Sequence, residues 1–146
     1  MGKATAQDAE LILRIYDLRR EEVLRAARAW FAKFELETID ELRKKHPPGS
    51  KEDAYFRMVL SYWDMVGALV KHKTINEDLF FETNREYLGV WRRAQPIIEQ
   101  LRQSRNNPNL YTNLEHICQG YQNWANSQQE QQNKQQQQQQ RQDFAS

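Results

Sequence analysis

The sequence predicts an all-α protein: an irregular helical bundle of five to six helices, with a long N-terminal helix and a central helix near residues 50–73. Two observations support this fold class. Apolar residues recur at the three-and-four spacing of a helix face over most of residues 6–125. The chain has only five glycines and four prolines in 146 residues, whereas an all-β fold needs turn residues about every ten positions. The length suits one domain, which we place at residues 5–125, followed by a Gln-rich low-complexity tail at residues 126–146.

The N-terminal third is predicted to contain two helices. Residues 6–34 are expected to form one long helix, because their apolar residues keep the helical spacing with charged residues between them. Thr38 and Glu41 have the spacing of a capping box, so a short helix is expected from residue 39 to about residue 46. It ends at Pro47, which cannot continue a helix.

The helix from residue 50 to about residue 73 is predicted to be the central element. Ser50 is a suitable N-cap, since its hydroxyl can accept a hydrogen bond from a first-turn N–H group. Two apolar stripes leave only a narrow outward strip, which includes Asp64, so this helix is expected to pack on two sides. The stripes consist of Phe56, Val59, Trp63, Val66 and Val70, and of Tyr55, Met58, Tyr62, Met65 and Leu69.

The C-terminal half is predicted to form further helices. Asn76 can cap a helix that runs to about residue 93, and Pro96 marks a kink or a restart. The NNPN segment at residues 106–109 is a turn. An apolar stripe from Leu110 to Trp124 then predicts the last helix.

The tail at residues 126–146 is almost entirely polar and cannot bury a face. We expect disorder over most of its length. The alternative is that it extends the last helix for a few turns, because glutamine is a fair helix former.

Composition excludes several classes of protein. The 21 basic and 20 acidic residues give a net charge of +1, which does not favour nucleic acid or an anionic membrane surface. A single cysteine excludes an internal disulfide framework and suits a reducing compartment. The first residues lack the apolar region of a secretory signal, and no apolar run is long enough to span a membrane. We therefore expect a cytoplasmic protein.

No pattern in the sequence points to a metal, a cofactor or a reaction centre. A di-iron bundle requires Glu-x-x-His pairs, and His46, His72 and His116 all lack an acidic residue three positions earlier. One cysteine, Cys118, cannot form a structural zinc site, and it lies on the apolar stripe of the last helix. The acid Asp64 is expected to be solvated or paired. We therefore expect no cofactor and no enzymatic activity.

A helix-turn-helix is a further possibility, because the KHKT segment joins two predicted helices. The second helix would then place its N-terminal residues at the base edges of DNA. That end carries Glu77 and Asp78, which phosphates repel, and the basic residues Arg92 and Arg93 lie at the other end. We therefore predict no nucleic-acid partner.

Three segments of the sequence carry a family resemblance: YWDMVGALVKHKTINEDLF, YLGVWRRAQPIIEQLRQSR and NPNLYTNLEHI. They resemble a family of small bacterial all-helical proteins classed only as a domain of unknown function. The likeness covers roughly residues 7–125, and the family's acidic position is usually Glu where this chain has Asp64. The positions that match the family pattern are Asp64, the corner at residues 71–79, Trp91, Arg102 and Glu115. The resemblance implies the helical fold and no established activity or ligand.

The function predicted from these observations is a non-catalytic helical interaction module that binds a protein partner or self-associates. Aromatic residues make up 11% of the chain, and together with a polar tail they suit a domain that presents a face to another helix. The alternative is a small-molecule-binding or regulatory sensor, with a pocket between helices lined by Asp64, Arg92 or Glu115. The candidate interaction residues are Asp64, Trp91, Arg92, Arg102 and Glu115.

Overall fold

A computed structural model describes residues 2–146, and this part of the chain contains seven helices and no strand. The predicted all-α class is confirmed, with more helices than the five to six expected. The helices are α1 (Ala6–Arg19), α2 (Glu22–Phe31), α3 (Ile39–Lys45), α4 (Lys51–Lys71), α5 (Glu77–Thr83), α6 (Glu86–Ser104) and α7 (Thr112–Ala145). None of them is long and apolar enough to cross a lipid bilayer.

Helix α4 is the centre of the fold, as its two apolar stripes predict. Its most extensive contacts are with α7 and α2. Trp63, Val66 and Leu60 on α4 are completely buried. Ser50 caps the helix, since its hydroxyl accepts a hydrogen bond of 3.2 Å from the Asp53 N–H group.

The prediction of one long N-terminal helix over residues 6–34 is wrong, because the chain breaks between α1 and α2. The Glu21 carboxylate accepts hydrogen bonds of 3.0 and 2.9 Å from the N–H groups of Val23 and Leu24, and so caps a new helix. These two bonds lower the pKa of Glu21. Glutamate is not among the preferred N-cap residues, so the sequence gives no warning of this break.

The helix does not restart at Pro96, which is one of the two alternatives expected there. Helix α6 continues from Glu86 to Ser104 with Pro96 inside it, and the break comes earlier, between α5 and α6. Asn84 ends α5 in an extended conformation, buried, with its side-chain amide donating to the Thr83 hydroxyl. Asn and Thr form local hydrogen bonds that compete with the helix.

The longest helix is C-terminal rather than N-terminal. Helix α7 has 34 residues and includes nearly all of the glutamine-rich tail. The tail is therefore helical in this structure, and the expected disorder over most of its length is not observed.

Candidate functional site at the start and the free end of helix α7

Helix α7 begins at a residue that cannot cap it. Tyr111 at the N-cap position has a left-handed backbone (φ 55°) and makes no side-chain capping bond. Asp64 on α4 supplies the missing acceptor: its Oδ1 atom accepts hydrogen bonds of 3.1 Å from the Asn113 N–H group and 3.0 Å from that of Leu114. A carboxylate at a helix N-terminus satisfies unpaired N–H groups and complements the helix dipole.

One turn beyond Asp64, Gly67 lets the two helices approach closely. A Cβ atom at Gly67 would lie 2.4 Å from the backbone oxygen of Asn113. Any side chain larger than hydrogen at this position would therefore push α7 away from α4. Asp64 and Gly67 together fix the start of α7 against the central helix.

Arg102 holds the same segment from the side of α6. Its Nε atom donates a hydrogen bond of 2.8 Å to the Leu110 carbonyl. Its Nη2 atom lies 3.0 Å from Glu115 Oε1 and forms an ion pair with it. The angles between the two groups do not meet the requirement for a hydrogen bond. The guanidinium lies 5.7 Å from the ring centroid of Trp91, within the range of a cation–π interaction.

Four of the five residues singled out in the sequence therefore meet around residues 110–115, where α7 begins. These four are Asp64, Trp91, Arg102 and Glu115. The fifth, Arg92, is exposed on α6 and does not join them. The cluster anchors a helix: the carboxylates contact N–H groups and a guanidinium of their own chain.

Helix α5 holds the middle of α7. Trp124 Nε1 donates a hydrogen bond of 2.9 Å to Asp78 Oδ1, and its ring lies 5.9 Å from that of Phe81. Gly120 gives Phe81 room, since a Cβ atom there would lie 3.0 Å from the end of the Phe81 ring. These contacts end about four turns into the helix.

Residues 129–145 of α7 form a helical segment exposed along its whole length, which we call the arm. At a rise of 1.5 Å per residue it is about 25 Å long. Hydrogen bonds between side chains four residues apart stabilise it. The Gln129 amide donates to Asn133 at 3.2 Å, and the Gln139 amide donates to Asp143 at 2.9 Å. Near its tip, Phe144 is 94% exposed.

A polar network that the sequence does not predict joins α2, α4 and α6. Glu86 accepts hydrogen bonds from Arg28 Nε and Nη2 (2.8–3.1 Å) and from Trp63 Nε1 (3.1 Å). The bond to Glu86 raises the pKa of Arg28. Arg28 and Glu86 are 58 residues apart in the chain, and no local pattern marks such a pair.

The Cys118 thiol and the possible metal ligands were the remaining candidates for a reactive site. The Cys118 thiol is half-buried, 3.7 Å from the Tyr87 carbonyl oxygen, and burial raises its pKa to about 12. A thiol of this kind carries little of the reactive thiolate near neutral pH. Among residues 2–146, no three His, Cys, Asp or Glu side chains are grouped so that they could hold a metal ion.

Comparison with known protein families identifies the family of this chain. Residues 4–124 match the family described as Domain of unknown function (DUF4760), and the chain belongs to this family. The resemblance noted in the sequence is thereby confirmed. No curated protein and no solved structure is significantly similar to the chain. The match stops at residue 124, so the arm lies outside it.

Proposed function

We propose that this protein is a non-catalytic helical interaction module that self-associates through its arm. One observation carries the proposal: every residue of the arm is exposed, and the arm bears a large, almost fully exposed aromatic side chain, Phe144, near its tip. Most of the stability of helices in proteins comes from tertiary packing. A second copy of the arm would supply the packing surface that this chain does not.

The composition of the arm suits pairing with a second copy. Each glutamine side chain both donates and accepts hydrogen bonds, so two glutamine-rich surfaces are complementary without a special register. The charges balance and do not repel a second arm; they are Glu130, Lys134, Arg141 and Asp143. Aromatic residues are enriched among the contacts that dominate binding energy, and Phe144 is the large apolar residue that the arm offers.

The absence of catalysis stays a prediction that the contacts around α7 support. Asp64 and Glu115, two acids that a reaction could use, are engaged with the start of α7. The alternative of a sensor pocket lined by Asp64, Arg92 or Glu115 gains no support from these positions.

Light scattering over a range of concentrations tests the proposal. We expect the mass of the full chain to rise with concentration, whereas the Phe144→Ala variant and a chain that ends at Gln132 stay monomeric. The matched control is Leu13→Ala, which removes an apolar side chain that is 63% exposed on α1; it should behave as the full chain does.

Circular dichroism of the truncated chain checks that the remaining helices are intact. A full chain that is monomeric at every concentration would contradict the proposal. So would a truncated chain that associates as strongly as the full one, because the interface would then lie on the helical domain.

A further inference from the structure

A basic cleft lies between α3, α4 and the end of α6, on a part of the molecule distinct from the arm. Its volume is about 340 Å³, within the usual size range of small-molecule sites. Three arginines from three different helical segments line it: Arg43 on α3, Arg57 on α4 and Arg105 at the C-cap of α6. His46, at the C-cap of α3, adds a fourth basic side chain.

The charges of this cleft are not balanced. Asp53 is the one carboxylate in its lining, and it pairs with Arg57 at 3.2 Å. Among residues 2–146, neither Arg43 nor Arg105 has a side-chain hydrogen bond or an ion pair. Two guanidinium groups in one cleft without a carboxylate partner create a local field that attracts an anion.

The lining of the cleft also has an apolar part. It includes four side chains that are at most 8% exposed: Ile39, Leu42, Phe56 and Leu101. Tyr111 also borders the cleft, and burial raises the pKa of its hydroxyl. Left-handed backbone at a non-glycine residue such as Tyr111 is uncommon, and it tends to occur where a local structure has a function.

We infer that this cleft binds a small organic anion, with a carboxylate, sulfate or phosphate group attached to an apolar body. Arg43 and Arg105 contact the anionic group, because a guanidinium presents paired N–H donors that match its oxygens. The apolar lining receives the body of the ligand, so neither the charge nor the apolar part alone binds well. The inference does not depend on the arm or on self-association.

Titration with 1-naphthyl phosphate, followed by NMR of the ¹⁵N-labelled full chain at low ionic strength, tests the inference. We expect saturable shifts confined to residues of the cleft, including the Nε–H signals of its arginines. The neutral analogue 1-naphthol and inorganic phosphate should each bind about tenfold more weakly or worse, because each lacks one half of the recognition.

A pair of double variants separates the cleft from general charge effects. Arg43→Gln with Arg105→Gln should weaken binding about tenfold or more. Arg85→Gln with Arg92→Gln removes the same total charge from exposed positions outside the cleft lining, and should change the affinity less than about twofold. Equal weakening by the two double variants, shifts scattered over the surface, or equally tight binding of 1-naphthol would overturn the inference.

A third variant is expected to bind the ligand more tightly, and misfolding cannot produce such a result. Asp53→Asn removes the carboxylate of the cleft and frees Arg57 from its ion pair. We expect it to tighten the binding of 1-naphthyl phosphate severalfold. Unchanged or weaker binding by this variant, with an unchanged circular dichroism spectrum, would count against an anion site here.

Discussion

The buried side chain of Tyr87 has opposing effects on the stability of the core. Its ring is fully buried and stacks at 5.4 Å on Phe80, yet its hydroxyl has no hydrogen-bond partner. A buried polar group without a partner costs about 1–3 kcal/mol. The ring therefore stabilises the core while the oxygen atom weakens it.

We expect Tyr87→Phe to stabilise the protein by about 1 kcal/mol, because it removes the unpaired hydroxyl and keeps the ring. The measurement is the free energy of unfolding from urea denaturation. The matched control is Tyr62→Phe, whose hydroxyl donates to the Ile15 carbonyl; this variant should lose about 1 kcal/mol. Destabilisation of both variants to the same extent would show that the Tyr87 hydroxyl has a partner after all.

At the scale of elements, the contact between α4 and α7 depends on a position without a side chain. Alanine usually stabilises a helix interior by about 1 kcal/mol relative to glycine. At Gly67 the added methyl group would meet the backbone of Asn113 at 2.4 Å, and a backbone segment cannot move aside as a side chain can.

We therefore expect Gly67→Ala to destabilise the protein by about 1–2 kcal/mol despite the gain in helix propensity. Gly89→Ala on α6 is the control, since its methyl group meets only the flexible end of Arg93, at 2.8 Å. That variant should be neutral or stabilising by up to about 1 kcal/mol. The measurement is the thermal unfolding midpoint of both variants. A Gly67→Ala variant that is more stable than the original chain would mean that α7 is not fixed closely against α4.

The elements that sequence reasoning predicted well are those whose signals are local. The central helix follows from its apolar stripes, and Ser50 and Asn76 cap their helices as expected. The break between α1 and α2 depends on a glutamate side chain that folds back to cap a helix, which propensity does not indicate. Pro96 lies inside α6 without starting a new helix, whereas the break between α5 and α6 falls at Asn84.

The candidate residues at the start of α7 were identified by family resemblance, and their role could not be derived from the sequence. Asp64 and Asn113 are 49 residues apart, and which helices touch is set by the packing of the whole chain. The cleft is a similar case. Its arginines come from three separate segments, so each looks in the sequence like an ordinary surface charge.

At the scale of the whole molecule, burial favours the neutral form of three tyrosine hydroxyls and of the one thiol. Burial raises the pKa of Cys118 from 9.0 to about 12, and it raises those of Tyr62, Tyr87 and Tyr111 above their usual value of 10.0. The unfolded chain releases these protons at lower pH than the folded chain does. The stability they contribute is therefore fully present below pH 9 and is lost as the pH rises toward 12.

We expect the urea midpoint of the protein to fall progressively between pH 9 and pH 11, within the interval set by the Cys118 thiol. Cys118→Ser does not titrate in this range, so its midpoint should fall less steeply from its own value at pH 8. Identical slopes for the two proteins would show that the thiol is ionised as easily in the folded as in the unfolded state.

The cap provided by Asp64 also has a consequence for the order in which the protein forms. The first turn is the costly step in forming any helix, and in α7 the carboxylate that satisfies the first N–H groups belongs to α4. Because synthesis runs from the N-terminus, α4 leaves the ribosome before the start of α7 does. The acceptor for the first N–H groups of α7 is therefore synthesised ahead of the helix that it caps.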